Sequence, residues 1–372
     1  MNESALRNAE TIASGIVDRF ALPAPAGSIE PYGGGLINAT FLVTAGDARY
    51  ILQRVNDSVF PEPERILSNL SVLAGHAATH AESKLRIPAL IGARDGLSFV
   101  RDGQGGFWHL MAFIPNALGL ARIEDLEQAR EIGRILGRFH VLVSDLPVER
   151  LAVTLPRFHV TPGYLERFKQ VLATHATAHP EALSQAIACV TARQAGVGVL
   201  EAARRDGRLP VRVVHGDPKL DNILFDRVTG RAISLIDLDT VQAGLVHYDI
   251  GDCLRSCCNR RDGPAGAGFD LDLCRAILVA YAEETDGLLD ATEIELLFDA
   301  IRLIPFELAL RFLTDHLEGN RCFRVTEREQ NLHKARVQLA LVADIETKER
   351  AIRGIVAACF KGGETGPRDR LF

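Results

Sequence analysis

Short runs in which apolar and polar residues alternate make up the first hundred or so residues of the chain. Residues 27–56 are predicted to form three short strands, with turns at Gly33 to Gly35 and at Gly46-Asp47. In residues 61–80 apolar side chains recur at spacings of three and four, which predicts a helix. Residues 86–115 return to strand patterns interrupted by Asp-Gly turns. The pattern predicts an antiparallel sheet with one inserted helix.

From about Ala117 onward the apolar residues follow the helical period. Residues 126–143 place their apolar side chains on one stripe, as in an amphipathic helix packed on a core. Further helices are predicted near residues 162–178, 180–206, 270–285, 291–317 and 328–359. Strands between residues 211 and 237 interrupt them. We therefore expect two parts, residues 1–116 and residues 117–372, with a boundary near the proline-containing segment 112–117.

Composition and charge narrow the class of partner. The chain has 372 residues, of which 47% are hydrophobic and 24% charged, as in an ordinary folded protein. Its 42 basic and 48 acidic residues give a net charge of -6, so there is no basic surface of the kind that nucleic acids or anionic membranes attract. We expect a small-molecule ligand, and neither a nucleic acid, a membrane nor a protein partner is implied.

The sequence also indicates a cytoplasmic location. Its amino terminus lacks the charged start and apolar core of a signal peptide, and no run approaches the length of a membrane span. Seven cysteines, an odd number, fit reduced thiols better than a disulfide framework. Cys253, Cys257 and Cys258 have one-face helical spacing but no second metal-type pair, so buried thiols are expected rather than a metal site.

Candidate chemistry lies in the stretch VVHGDPKLDNILFD, residues 213–226. Two apolar runs predict strands, so Asp217 and Asn222 lie on the loop that joins them. A carboxylate there can orient a hydroxyl group and take its proton, while the amide supplies an oxygen to Mg²⁺. A second buried strand ends at Asp237 and Asp239, which would complete a metal site. These are the parts of a phosphoryl-transfer site.

The arrangement H-G-D-x-x-x-x-N, followed by I-D, resembles the aminoglycoside phosphotransferase and choline kinase branch of the protein-kinase-like fold. The resemblance implies a two-lobed α+β fold, with a small antiparallel nucleotide-binding lobe and a larger, mainly helical catalytic lobe. It also implies ATP and Mg²⁺ as cofactors, Asp217 as the catalytic base, and Asn222 and Asp237 as metal ligands. Asp239 either assists the metal or is a strand-end carboxylate bonded to backbone N–H groups.

The resemblance suggests supporting roles for three neighbours of this loop. Asp249, in HYDIGD, resembles the buried aspartate that braces the catalytic loop in the family. His215 is expected to pack beneath the loop. Lys219 is expected on the phosphate or substrate side.

The nucleotide end departs from the family pattern. Gly33, Gly34 and Gly35 stand where a phosphate-covering loop is expected, although a hairpin turn without a ligand would look the same. Relatives supply a lysine from the following strand, whereas this strand has Gln53 and Arg54. Because successive side chains of a strand point to opposite faces, only one of these two residues can face the nucleotide. Arg54 is preferred because it carries a positive charge. Backbone groups of the segment from Met111 to Ile114 are expected to contact adenine, with Phe113 and Ile114 as the candidates.

The acceptor is predicted from blocks spread over residues 31–323, which together resemble the N-acetylhexosamine 1-kinases of this family. The block RFLTDHLEGNRCF contributes Arg311 and Asp315, four apart on one helix face, as sugar-binding candidates. A surface ion pair is the structural alternative. The first-choice acceptor is the C1 hydroxyl of an N-acetylhexosamine. Alternatives are an aminoglycoside, another hexose or an amino alcohol, or a nucleotide-binding pseudokinase without transfer activity.

Overall fold

The protein was analysed as a computed structural model, which describes residues 11–33, 37–175, 179–260 and 266–360. Its amino-terminal part is built on an antiparallel sheet in which the strands are ordered β1-β2-β3-β6-β4 and β5 also pairs with β6. The strands are β1 (Ala26–Pro31), β2 (Ala39–Ala45), β3 (Ala48–Val55), β4 (Leu90–Ile91), β5 (Val100–Arg101) and β6 (Phe107–Ala112). Burial alternates strictly along β2, as its sequence pattern predicts.

The two faces of this sheet pack against different helices. One face buries Leu52 and Trp108 against a helix at residues 11–17, here α1. The opposite face contributes Val55 and Phe107 to a cluster with α2 (Glu64–Ala78). The side chains of β3 therefore alternate between an outer face under α1 and an inner face under α2.

Helices dominate the carboxy-terminal part. They are α3 (Leu126–Leu142), α4 (Thr161–Ala173), α5 (Glu181–Arg193), α6 (Val199–Arg205), α7 (Val246–Cys257), α8 (Leu271–Glu284), α9 (Ala291–Glu295), α10 (Leu297–Leu317), α11 (Gln330–Thr347) and α12 (Glu349–Cys359). Three helices predicted as continuous are each divided in two, the first of them by a 3₁₀ turn at Gln194–Gly196. Helix α7 is absent from the sequence prediction. The architecture confirms the predicted α+β fold with an antiparallel amino-terminal sheet and a helical remainder.

Two helix pairs approach so closely that only glycine fits between them. A Cβ atom added at Gly133 of α3 would lie 2.1 Å from the carbonyl oxygen of Ile277 in α8. One added at Gly251 of α7 would lie 2.8 Å from the carbonyl oxygen of Ala300 in α10. The second contact fixes α7 against α10, and α7 supports the candidate site. Cys253, Cys257 and Cys258, at the end of α7 and just beyond it, are buried free thiols, as expected.

Short strands between the helices place two loops side by side. A three-stranded sheet has the order β10-β9-β7, with β7 at Ala117–Gly119, β9 at Ile223–Asp226 and β10 at Ala232–Leu235. A second ribbon pairs β8 (Arg212–Val214) with β11 (Gln242–Gly244). The backbone N–H of Ile236 donates to the carbonyl of Asn222 at 2.9 Å, which joins the loop after β8 to the loop after β10. Across the described ranges, no helix has the length and apolar character needed to span a bilayer.

Candidate active site

A buried carboxylate of α7 holds the loop that follows β8. Asp249 accepts hydrogen bonds from the backbone N–H groups of His215, at 2.7 Å, and Gly216, at 2.8 Å. Its Oδ2 atom also lies 3.0 Å from Nε2 of His140, whose Nδ1 is 2.8 Å from the hydroxyl of Tyr281. All of these groups are buried. The loop conformation is therefore set from inside the core.

The second residue of the loop has to be glycine. Gly216 has φ +87°, and an added Cβ atom would lie 2.8 Å from the carbonyl oxygen of Thr240. The Thr240 hydroxyl donates to the carbonyl of His215 at 2.8 Å. The His215 ring packs edge-on against Phe139, with centroids 5.6 Å apart, and burial lowers the pKa of this histidine. His215 thus lies beneath the loop.

Two side chains of the same loop contact the Asp217 carboxylate. Its Oδ2 atom lies 2.5 Å from Nζ of Lys219, and Nδ2 of Asn222 donates to the same oxygen at 3.1 Å. The Asn222 amide nitrogen also donates to the Asp217 carbonyl at 2.8 Å, so the amide oxygen points away and is placed to ligate a cation. Burial raises the pKa of Asp217, although Lys219 opposes this effect.

The loop after β10 supplies two further carboxylates. Asp237 adopts the left-handed backbone conformation, with φ 64° and ψ 56°. This conformation is strained for a residue other than glycine, and such strained residues are frequent at functional sites. Asp239 is buried, and burial together with the nearby Asp237 raises its pKa to about 7. A divalent cation would relieve this repulsion. Asp237, Asp239 and the Asn222 oxygen are the hard oxygen ligands that Mg²⁺ takes, so the donor set fits this metal.

Asn38, in the segment between β1 and β2, reaches this acidic pair from the amino-terminal sheet. Its Nδ2 donates to Oδ2 of Asp239 at 2.7 Å, and its Oδ1 accepts from the backbone N–H of Asn56 at 3.0 Å. Asn38 is not among the site residues predicted from the sequence. Its only local signal is its position just after the glycine run.

The structure corrects the preference for Arg54 as the phosphate-facing residue. Arg54 lies on the outer face of β3, with its Nε 3.6 Å from Oδ2 of Asp102. The same carboxylate oxygen accepts from Nε1 of Trp108 at 2.8 Å, so Arg54 belongs to the packing under α1. Gln53 lies on the opposite, inner face and donates to the Thr40 hydroxyl at 3.2 Å. The side chains of β3 alternate between the two faces as predicted, but the charge of Arg54 does not indicate which residue lies on the inner face.

Of the remaining nucleotide-side candidates, Gly33 has φ +74°, a backbone conformation suited to glycine. Gly34 and Gly35 lie outside the described residues. The Phe113 ring lies edge-on to Tyr32, with centroids 6.1 Å apart. The backbone N–H of Phe113 donates to the carbonyl of Arg49 at 3.1 Å and is therefore already used, and the side chain of Ile114 is buried.

A buried histidine and glutamate, both missed from the sequence, support the other side of the loop. Nε2 of His159 lies 2.7 Å from the Gly216 carbonyl, and Nδ1 lies 3.0 Å from Oε1 of Glu307. Burial alone would lower the pKa of His159, but the Glu307 carboxylate, the Gly216 carbonyl and the charge of Asp252 together raise it. A protonated imidazole donates through both nitrogens, which matches the two oxygens it faces.

Asp252, one helical turn beyond Asp249 on α7, was also missed. Its Oδ1 accepts from Nε of Arg255 at 2.8 Å, whereas its buried Oδ2 has no hydrogen-bond partner among the described residues. Burial would raise the pKa of Asp252, but Arg255, followed by His159, lowers it. The charge of Asp252 contributes to the raised pKa of Asp217, so the two carboxylates are neighbours.

The structure separates the two acceptor candidates on α10. Asp315 is buried and accepts from the backbone N–H groups of Arg321, Cys322 and Phe323 at 2.7 to 3.0 Å. It also accepts from Nδ2 of Asn331 at 2.8 Å. This corrects the assignment of Asp315 to the substrate, because its oxygens already order the loop after α10.

Arg311 lies one helical turn after Glu307. Its guanidinium carbon is 5.3 Å from the ring centroid of Phe158, 5.6 Å from that of Tyr164 and 5.4 Å from that of Phe323. Three aromatic rings therefore hold this cation by cation–π contacts.

Comparisons with known proteins agree with this geometry. The profile of the phosphotransferase enzyme family, APH, matches residues 28–287. Homoserine kinase of Rhizobium meliloti (strain 1021) is 27% identical over 310 residues, which cover 80% of this chain and 82% of that protein.

Solved structures show the same fold. A microcompartment-associated aminopropanol kinase aligns with a TM-score of 0.66 and 20% identity, over 92% of this chain and 98% of that chain. An aminoglycoside phosphotransferase from Alicyclobacillus acidocaldarius subsp. acidocaldarius DSM 446 aligns with a TM-score of 0.60 and 14% identity, over 91% and 96%. The chain therefore belongs to the phosphotransferase enzyme family and is a phosphotransferase with an alcohol group as its acceptor.

Proposed function

We propose that the chain is an ATP- and Mg²⁺-dependent kinase whose acceptor is a small amino alcohol, with Asp217 as the catalytic base. Lys219 and Asn222 hold one oxygen of Asp217 in place. The half-buried Asp217 carboxylate, with its raised pKa, is a better proton acceptor than a carboxylate with an ordinary pKa. It would orient the acceptor hydroxyl and take its proton as the oxygen attacks the γ-phosphoryl group.

The proposal divides the chain into a nucleotide-binding lobe, residues 1–116, and a catalytic lobe, residues 117–372. Asn222 and Asp237 would hold Mg²⁺, with Asp239 beside them, and the bound metal would neutralise phosphate charge. Lys219 would contact the transferred phosphoryl group, because its ammonium lies at Asp217.

On the nucleotide side, Gln53 would take the place of the usual cation on β3, since it lies on the inner face of the sheet. The glycine-rich loop that begins at Gly33 would cover the phosphates, and the backbone of Ile114 would meet adenine.

The unpartnered oxygen of Asp252 is the observation that favours an amino alcohol. A buried carboxylate oxygen without a donor is costly, and a bound ammonium group would satisfy it. Because Asp252 neighbours Asp217, an amine held there would lie close to the reacting hydroxyl. Homoserine, the substrate named for the Rhizobium relative, and aminopropanol both combine a hydroxyl with an amine.

An N-acetylhexosamine is the second candidate, and Arg311 favours it. Its guanidinium is fixed between three rings and offers donors suited to hydroxyl and acetamide oxygens. The sugar would be phosphorylated at its C1 hydroxyl. On this candidate, Arg311→Ala raises KM for the sugar much more than KM for ATP.

ADP release with a panel of acceptors tests both candidates. The panel contains homoserine, 1-amino-2-propanol, N-acetylglucosamine, N-acetylgalactosamine and an aminoglycoside, with 4-hydroxybutanoate and 2-propanol as matched alcohols that lack the amine. We expect the two amino alcohols to be phosphorylated and their deaminated analogues to be rejected. Turnover of the N-acetylhexosamines with a higher kcat/KM would overturn the amino-alcohol proposal and support the second candidate.

Two variants test whether Asp252 binds the amine of the acceptor. Asp252→Asn keeps the size of the side chain but loses its charge, so KM for the amino alcohol should rise with little change in KM for ATP. Asp221→Asn removes an exposed carboxylate from the loop after β8 and serves as the control. If Asp252→Asn leaves the acceptor KM unchanged, the amine binds elsewhere. Nucleotide binding without turnover of any acceptor would indicate a pseudokinase.

A further inference from the structure

Two histidines and an aspartate converge outside the site around Asp217, where the end of α2 meets the segment after α3. Nε2 of His76 lies 3.0 Å from Oδ1 of Asp145, and Nε2 of His80 lies 3.4 Å from Oδ2 of the same carboxylate. The carbonyl oxygen of Leu142 is 2.9 Å from Nε2 of His76. Nothing in the phosphoryl-transfer mechanism uses these groups.

The separations match those within a metal coordination shell. The three ligand atoms all lie within 4.8 Å of one another. Ligands bound to tetrahedral zinc at 2.0–2.1 Å are about 3.3 Å apart, which falls among the distances seen here. His76 lies in the last turn of α2 and His80 lies two residues beyond its end, and their ring centroids are 4.5 Å apart.

The hydrogen bonds of His80 leave a place for a cation. Its Nδ1 lies 3.1 Å from the carbonyl oxygen of His76, which can only accept, so Nδ1 bears the proton in the neutral ring. Nε2 then turns a lone pair toward Oδ2 of Asp145. These two acceptors at 3.4 Å can share a cation, and the pKa of His80 is raised by its hydrogen bond to the His76 carbonyl and by the Asp145 carboxylate, so a metal ion would compete with a proton here. His80 is oriented through the ring nitrogen that does not bind metal, as ligating histidines commonly are. Nε2 of His76 faces the Leu142 carbonyl as a donor, so metal binding would release this proton.

Accessibility also fits an ion that enters from solvent. The side chain of Asp145 is 63% exposed, that of His80 29% and that of His76 9%. The carboxylate side is thus open to water, which would complete the coordination, while the histidines are held by the protein.

We propose that His76, His80 and Asp145 form a binding site for a divalent transition metal ion, with Zn²⁺ as the preferred probe. Two imidazoles and a carboxylate are a zinc ligand set, and they suit neither Mg²⁺ nor Ca²⁺. The ion would tie α2, which packs on the inner face of the amino-terminal sheet, to the segment that follows α3. The site would therefore stabilise the joint between these two parts of the chain.

Titration calorimetry with Zn²⁺ on the full chain tests this proposal. Mg²⁺ is present throughout to occupy the site at Asp237, and a Cys322→Ser background removes the exposed thiol. We expect one equivalent of Zn²⁺ to bind and the Tm to rise. His80→Ala and Asp145→Asn, both at accessible positions, should weaken binding by at least 10–100-fold and abolish the rise in Tm. His333→Ala, at an exposed histidine of α11, is the matched control.

Cobalt absorption identifies the ligands independently. Bound Co²⁺ should show visible d–d bands without the intense near-ultraviolet band of a cobalt–thiolate bond. Circular dichroism verifies that both variants are folded. The proposal is overturned if the parent chain binds no Zn²⁺, which would leave a hydrogen-bonded His–Asp cluster only, or if both variants bind Zn²⁺ as tightly as the parent.

Discussion

Each side chain of the loop after β8 has its own role in the proposed transfer, and Asp217 is proposed to contact the acceptor hydroxyl. Asp217→Asn keeps the shape of this residue but removes the proton acceptor. We expect activity to fall by roughly 10²–10⁴-fold, with Mg-ATP affinity retained. Single-turnover assays and nucleotide titrations measure the two quantities. Near wild-type turnover would exclude Asp217 as the base, while Asp221→Asn controls for charge in the loop.

A second prediction for a single residue concerns His109 and the pH dependence of the free energy of unfolding. Both ring nitrogens are buried without a partner among the described residues, and burial lowers the pKa of His109 to about 4. The unfolded chain takes up this proton near pH 6.5 and the folded chain only near pH 4. Stability is therefore lost as the pH falls through this window, by up to about 3 kcal/mol.

Replacing His109 by leucine should remove part of that loss. Urea denaturation at pH 7.5 and pH 5 measures the free energy of unfolding of each protein. We expect a smaller difference between the two pH values for His109→Leu than for the parent chain. An equal difference in both proteins would show that other groups cause the acid sensitivity. His333→Ala, at the surface, provides the comparison for loss of an exposed histidine.

Residue spacing predicted the parts of the site contained in one short stretch, the end of a second buried strand added Asp237 and Asp239, and the family resemblance added Asp249. Asp217, Lys219 and Asn222 contact one another within a single loop, so their spacing was informative. Asn38 and Asp239 are 201 residues apart, and His159 and Gly216 are 57 apart. No local pattern joins such pairs.

Other assignments failed because spacing does not reveal what a polar group already contacts. Arg54 is paired with Asp102, and Asp315 accepts three backbone N–H groups. A residue that is polar and suitably spaced can thus be fully used by the fold. Conversely, Asp252 has an unused oxygen that only the folded structure reveals.

At the scale of elements, replacing two helix glycines by alanine should change stability in opposite directions, because only one of them packs closely against another helix. Gly133→Ala would force a methyl group into the backbone of α8, so we expect a loss of about 1–3 kcal/mol. Gly75, on α2, has nothing within 4 Å of an added Cβ atom, and Gly75→Ala should gain about 0.5–1 kcal/mol. Chemical denaturation of both variants measures these changes. A stabilised Gly133→Ala protein would contradict the close contact between α3 and α8.

Helix α7 shows why one element escaped prediction while its neighbours did not. Its buried residues include His247, Asp249 and Asp252, so the inward face does not appear apolar in the sequence. Helices such as α3, whose buried face is largely aliphatic, were predicted to within a residue or two. The polar interior of α7 is what allows it to hold the catalytic loop and to present Asp252.

For the molecule as a whole, asparagines connect the amino-terminal part to the remainder. Asn38 bonds to Asp239, and Asn69 of α2 donates to the carbonyls of Ala152 and Val241 at 2.8 and 2.9 Å. The proposed nucleotide side is thereby held against the carboxylates proposed to bind the metal.

Removal of the part-buried connection through Asn38 should affect ligand binding more than folding. Asn38→Ala loses the bond to Asp239, so we expect weaker Mg-ATP binding and an almost unchanged Tm. Calorimetric titration with Mg-ATP, beside thermal unfolding, separates the two effects. Asn38→Asp is a poor substitute because it would add a third carboxylate. Unaltered Mg-ATP affinity in Asn38→Ala would show that this contact does not position the metal site.

The bonds from His215 and Gly216 to Asp249 also set how often the catalytic loop can open. Both amide hydrogens point at the fully buried carboxylate of Asp249 on α7, and we expect water to reach them only when the packing around α7 separates. Local fraying of the loop would not expose them. Their exchange with deuterium should therefore be among the slowest in the chain and should follow global unfolding as denaturant is added. A loop that does chemistry would then be as long-lived as the core itself.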